Sequence, residues 1–317
     1  MRQAPAPLQL CAGFTLLELV VGLVLSTIVI GFTASLMTTP VDAYYAQTRR
    51  TEMVENSELI TQALARDLAM AVPNSVRIRS QGNNRAIVEM LSFDVVTFYR
   101  PAGSLGPAGT WSATDRELEL DTAPPDSRLS VFGRINALQT ANSYTYPDRY
   151  LVVNNAGINN DDAYRLARVI TPAPVTLSIT RDPLTYAASG EEQLMFAPAF
   201  RFRNNPPNPS RRLFLVRGPV AYICNSAANA GTLQRYDNYA ITQAMPATEA
   251  AAQLNAAGVR DAVLSGNVSA CRFTCSGATD AAPCLRALTV EIELSRPAGT
   301  NNESITLYQQ LPVDNVL

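Results

Sequence analysis

Residues 14–36 form an apolar run of 23 positions with one charged side chain, Glu18. No other stretch limits the fold as tightly. As a helix the run spans roughly 34 Å, enough to cross a bilayer core. A carboxylate left in lipid costs at least ~2.5 kcal/mol, so Glu18 at its fifth position requires a partner. A secretory signal peptide is cut after a shorter apolar core, whereas here the small residue, Gly13, precedes the core. A lipoprotein anchor at Cys11 fails similarly, because the run follows the cysteine and Leu10 is bulky. A plain membrane anchor fits the length and leaves Glu18 unexplained.

The next pattern continues that helix. Past Leu36 the apolar run breaks at Thr38-Thr39-Pro40, where an interruption is expected. Met53, Ser57, Ile60, Leu64, Leu68 and Ala71 then recur at three- and four-residue steps, and Pro73 ends the pattern. The spacing predicts an amphipathic helix over residues 37–73 whose apolar stripe packs on a sheet. Residues 74–317 read as β-rich. Strands are expected at 75–79, 86–91, 95–100, 118–120, 129–132, 150–153, 175–179, 213–216 and 220–223, with a turn at Gly218-Pro219 between the last two. A short helix is expected within 240–258. The alternation of Leu288, Val290, Ile292 and Leu294, a turn at 299–302 and a return over 304–311 predict a closing hairpin. The expected fold class is α+β: a long N-terminal helix packed on mainly antiparallel strands.

Composition removes many chemistries. The chain has 317 residues, a net charge of -2 and no histidine, and all 25 basic side chains are arginine. Without histidine there is no serine or cysteine nucleophile paired with imidazole. Without lysine there is no Schiff base and no phosphate loop ending in lysine. A carboxylate pair is the surviving catalytic device, and no basic excess points to nucleic acid. Asp121-Thr122-Ala123 matches an aspartic protease triplet, but Pro124-Pro125 at once beyond it favours a turn. The run from Asn154 to Asp162 offers oxygen ligands for calcium without the glutamate of an EF-hand, and reads as a solvated loop. Tyr144, Tyr146, Tyr150 and Tyr164 suit either packing or sugar stacking.

Gly13-Phe14-Thr15-Leu16-Leu17-Glu18-Leu19 resembles the class III leader of type IV pilins and type II secretion pseudopilins. This leader has Cys11-Ala12 where such leaders carry basic residues. The resemblance implies that a membrane prepilin peptidase cuts after Gly13, removing residues 1–13, and that the new amino terminus at Phe14 is methylated. Residues 14–36 would then be the transmembrane and later filament-core segment. In a filament Glu18 would pair with the amino terminus of a neighbouring Phe14, turning a lone charge into a paired one. Ala65-Arg66-Asp67-Leu68 with Val72-Pro73-Asn74-Ser75-Val76-Arg77 resembles one subgroup. Gly218-Pro219-Val220-Ala221-Tyr222-Ile223-Cys224 with Leu233-Gln234-Arg235-Tyr236, and Cys271-Arg272-Phe273, resemble it too. It is the O-type minor pilins of mannose-sensitive haemagglutinin (MSHA) pilus gene sets, related to J-type pseudopilins.

Loss of residues 1–13 takes Cys11 and leaves Cys224, Cys271, Cys275 and Cys284, an even set suited to an oxidising periplasm. Four cysteines allow three pairings that the sequence does not decide; Cys224–Cys271 with Cys275–Cys284 is favoured. A four-thiolate zinc site is the alternative, against which Cys-x3-Cys-x8-Cys lacks the usual close pairs. The expected function is a non-enzymatic minor pilin in the inner membrane with a periplasmic head, which primes or tips a filament. The resemblance implies prepilin peptidase, other minor and major pilins and an inner-membrane assembly platform as partners, and no cofactor. The alternatives are a type II secretion pseudopilin or, from a different class, an anchored periplasmic hydrolase with paired carboxylates.

Overall fold

The computed structural model describes residues 15–81, 84–101, 125–157, 162–182, 190–203, 210–228, 230–279, 282–298 and 301–315. The chain divides into two compact units, Met1–Glu52 and Met53–Leu317. Helix α1 covers Leu16–Ala69 and includes Pro40. The expected interruption at Thr38-Thr39-Pro40 is absent, because a proline forfeits one amide donor and the turns on both sides hold. The helix stops at Ala69, short of Pro73. The backbone beyond it pairs with a strand instead: Val72 donates to the Leu91 carbonyl at 2.8 Å and Phe93 to that of Met70 at 2.9 Å.

Among the described residues of the second unit, eleven antiparallel strands follow, the expected strand at 118–120 lying outside them: β1 (Arg77–Gln81), β2 (Arg85–Tyr99), β3 (Asp126–Phe132), β4 (Ser143–Val153), β5 (Val175–Thr180), β6 (Glu191–Phe200), β7 (Arg212–Asn225), β8 (Gly231–Asp237), β9 (Arg260–Thr274), β10 (Ala287–Ala298) and β11 (Asn301–Pro312). They are paired in the order β1-β2-β3-β6-β5-β4-β7-β8-β9-β10-β11, and β2 also pairs with β7. That extra ladder closes β2-β3-β6-β5-β4-β7 into a six-stranded barrel. The other ends of β2 and β7 belong to an open sheet with β1 and β8 to β11.

The segments 86–91 and 95–100, expected as two strands, are one strand, and so are 213–216 and 220–223. The reason lies in two bulges. Along the β2–β7 ladder Ser92 faces Gly218, Phe93 faces Val216 and Val95 faces Leu215, so Arg217 and Asp94 are extra residues. A one-residue insertion exchanges the faces of everything beyond it. Before the bulges the even residues Ala86, Val88, Met90, Val220 and Tyr222 join the core under α1. Beyond them the odd residues Val95, Tyr99, Leu213 and Leu215 fill the barrel. One continuous face therefore serves both cores. The two extra side chains pair with each other, and Arg149 of β4 joins Asp94 as well.

Met53, Ile60, Leu64 and Leu68 of α1 are buried against Phe273, Leu288, Val290 and Ile292, as the helical stripe predicts. Each full burial contributes about 2 kcal/mol. The barrel interior is filled at a period of two by Leu129 and Val131, Leu151 and Val153, Leu177 and Ile179, and Leu194 and Phe196. The expected short helix within 240–258 is reduced to a 3-10 turn at Ala252–Leu254. Ile87, Ile223 and Tyr239 seal the sheet face away from α1 with Met245 and Leu254 of that segment.

Polar pairing fixes α1 to the sheet. The buried Asp67 carboxylate accepts from the Tyr222 hydroxyl at 2.6 Å and from Arg235 Nε at 2.6 Å. Disulfides join Cys224 to Cys271 and Cys275 to Cys284. Cys224 and Cys271 lie on β7 and β9, which flank β8, yet their Cα atoms are 6.4 Å apart. A flat sheet would set them about 9.5 Å apart. The sheet closes there over Gly231, where an added Cβ would lie 1.9 Å from the Val268 carbonyl oxygen.

Two substitutions test these contacts. Gly231→Ala is expected to cost about 2 kcal/mol or more, because backbone rather than a side-chain tip must move. Asp67→Ala is expected to cost about 3 kcal/mol by leaving Arg235 Nε and the Tyr222 hydroxyl without their acceptor, Arg235 keeping Asp237, and Asp67→Asn less. Urea unfolding of the purified variants reads both; wild-type stability in either removes the corresponding contact from the account.

Candidate assembly site

The first turn of α1 is built by its own sequence. Thr15 precedes the helix and its Oγ1 accepts from the Glu18 backbone N–H at 3.3 Å. Thr15-x-x-Glu18 thus has the residue pattern of a capping box, a signal not recognised in the sequence. The carboxylate also sits at the positive end of the helix dipole. Leu16–Ala34 is long and apolar enough to cross a membrane. The hydroxyls of Ser26, Thr27 and Thr33 donate to carbonyls one turn back, Gly22, Val24 and Val29. That disposal suits lipid, where unpaired donors are costly.

Glu18 is exposed on this segment, and among the described residues its carboxylate has no partner. Gly22 and Ser26 follow it at four-residue steps, so all three share one helix face. Nothing lies within 4 Å of where a Cβ would stand on Gly22. Small residues at this spacing let a second helix approach closely in a membrane. The arrangement offers an acceptor, beside a flat strip, to a cation carried by another chain. Gly13 and Phe14, the expected cut and methylation positions, lie outside the described residues, as does Cys11.

The remaining candidates fall elsewhere. Asp121-Thr122-Ala123 lies outside the described residues. The run from Asn154 to Asp162, expected as a solvated loop, is buried at Asn154, Asn155 and Asp162 instead: the Asn155 amide donates to the Pro73 carbonyl at 2.8 Å and its oxygen accepts from the Ala163 N–H at 2.9 Å. Asp162 caps a 3-10 turn by accepting from the Tyr164 N–H at 3.0 Å. These oxygens hold the chain, so the described part of the run is a structural corner. Burial pushes the Asp162 carboxyl above its usual range against that N–H and the nearby Arg77 and Arg165. The four tyrosines share no face: Tyr144 and Tyr146 pack beside the barrel core, and Tyr150 and Tyr164 are buried in a separate cluster.

Glu89 and Glu192 are among the buried carboxylates of the second unit that were missed in the sequence. Glu89 of β2 faces Arg77 across the β1–β2 ladder and accepts from its guanidinium at 2.5 Å and from the Tyr239 hydroxyl at 2.7 Å. Arg77 also donates to the carbonyls of Gln243 and Thr242. Burial opposes the Arg77 charge, but Glu89 outweighs it and the guanidinium is held more firmly protonated than usual. Glu192 of β6 takes Arg181 at 2.5 Å, the Tyr144 hydroxyl at 3.0 Å and the Ile135 N–H at 3.0 Å. Burial, with Glu192 beside it, raises the Tyr144 hydroxyl to about 12. With no free acid in either set, these are packing devices.

Residues 9–34 match the model of the prokaryotic N-terminal methylation motif. The match supports a type IV pilin-like protein. It implies processing by a prepilin peptidase and assembly with pilins. With the apolar helix, it fits an inner-membrane anchor carrying a periplasmic domain. No curated protein and no solved structure matches the chain.

Proposed function

We propose that this chain is a non-enzymatic minor subunit of a type IV pilus-like filament of the MSHA type. The carrying observation is the methylation motif over residues 9–34, with Glu18 standing five residues beyond Gly13 on the face that carries Gly22. The peptidase cuts between Gly13 and Phe14, and the Phe14 amine is methylated. Glu18 of one subunit then meets the Phe14 amine of its neighbour in a helix bundle entered from the membrane.

The head supports a minor rather than a repeating subunit. A unit as long as Met53–Leu317 has a radius of gyration of about 18 Å, whereas helices pack about 8–10 Å apart. Heads of this size crowd one another if every bundle position carries one. The MSHA assignment rests on the sequence phrases around Asp67, Tyr222, Arg235 and Cys271.

Mass spectrometry of the membrane-extracted protein is expected to find a methylated Phe14 at the amino terminus, and Gly13→Leu to retain residues 1–13. An unprocessed wild-type chain would return the protein to an ordinary anchor. Glu18→Ala is expected to be cut normally but to enter sheared filaments about tenfold less, the ratio for a 1.4 kcal/mol loss. Equal incorporation of the two chains would remove Glu18 from assembly.

A further inference from the structure

The outermost strands in the pairing order are β1 and β11, and the chain treats them differently. Beside β1 runs the segment that follows β9: the Ile78 N–H donates to the Thr279 carbonyl at 3.3 Å and the Ser80 hydroxyl to the Phe273 carbonyl at 3.1 Å. Among the described residues, β11 pairs with β10 alone.

An open edge presents a row of unpaired N–H and C=O groups, and proteins that stay apart blunt it with charges, proline or a bulge. β11 is long and unblunted. Its twelve pairs with β10, from Ala298↔Asn301 to Ala287↔Pro312, show no register shift. Glu303 is its single charged residue, and its one proline, Pro312, stands at the last position. Ile305 and Leu307 pack on the core beneath α1 and are only half-buried. Another strand alongside would complete their burial. Ser304, Thr306 and Tyr308 alternate with them and are exposed.

We propose that β11 docks on a second copy of itself, antiparallel about a twofold axis at Thr306, so that the open sheets of two heads become one. Such pairing requires the residues whose backbone faces outward on one copy to meet their equivalents on the other, and centring on a single residue does this. In this register Ile305 lies opposite Leu307 of the second copy, Ser304 opposite Tyr308, and Glu303 opposite Gln309. Each face thus meets its own kind, and no like charges oppose each other. Moving the centre by one residue sets Glu303 opposite Leu307 or Leu311. An identical strand therefore satisfies both faces at once, which selects a copy of this chain as the occupant. The pairing involves the second unit alone and is independent of the filament reading.

Sedimentation of the full chain in detergent, over a range of protein concentration, tests it. The membrane segment can associate as well, so two substitutions on the exposed side of β11 report on the strand itself. Thr306→Lys sets two cations opposite each other and is expected to raise the dimer dissociation constant about tenfold, with an unchanged circular dichroism spectrum. Opposed residues of paired strands lie about 4.5–5.5 Å apart at Cα, within reach of a disulfide. Thr306→Cys is therefore expected to cross-link two copies on oxidation, and Val263→Cys, exposed on β9, to give no such link. A monomer at every concentration, a dimer indifferent to Thr306→Lys, or no link through Thr306→Cys overturns the edge pairing. A photo-cross-linking residue at position 306 that captures a different chain in native membranes, and no copy of this one, overturns the choice of occupant.

Discussion

The pairing of β2 with β7 is the constraint on which the head depends. These two strands belong to both the barrel and the open sheet, so every other strand takes its place from them. A ladder shared in this way must present apolar side chains on one face along its length. Strand periodicity alone allows that only if the faces do not exchange at the join. The extra residues Asp94 and Arg217 shift both strands from even to odd core positions together. A bulge on one strand alone would turn that strand's barrel residues outward. The two extra side chains are opposite charges that pair with each other, Arg217 exposed and Asp94 half-buried, and Arg149 gives Asp94 a second partner.

The head and the N-terminal segment treat charge in opposite ways. In the head the buried carboxylates of Asp67, Glu89 and Glu192 each accept at least two donors, one or more of them from a residue far away in sequence. Removing one member of such a set leaves a desolvated charge, which is why these sites specify the fold more than they add to its stability. Glu18 is placed where a lone carboxylate is hardest to keep, with its backbone N–H capped and its side chain outward. The helix dipole eases that cost and does not cancel it.

What could be read from the sequence follows the range of the interactions. The α1 stripe and the β10–β11 hairpin depend on neighbours within a few turns or a single loop, and their periodicity shows them directly. The barrel was hidden because its closure depends on Leu213 meeting Thr97 and Val131 meeting Glu192, pairings over long separations that no local pattern carries. Gly218-Pro219 read as a turn because glycine and proline mark turns and bulges alike. Only the partner strand, with Ser92 facing Gly218, distinguishes the two. The buried Arg77–Glu89 pair was equally obscure, since a charged residue in an alternating strand reads as solvent-facing until the opposite surface is covered. Glu18 stands out in the sequence alone, because a carboxylate in an apolar run is costly whatever surrounds the helix.

On the proposed reading, that cost gives assembly a direction. A subunit at rest in the bilayer carries a penalty of at least ~2.5 kcal/mol at Glu18. In a bundle whose neighbour supplies a cation, desolvation is offset by pairing across a low-dielectric gap. The same residue therefore disfavours the membrane state and favours the assembled one, and the difference is realised only at the register that brings the two charges together. Gly22 and Ser26 on the same face allow the helices to approach closely enough for that pairing. On this reading the energetics of entry lie in the first turn of α1, and the size of the head limits how many bundle positions can carry one.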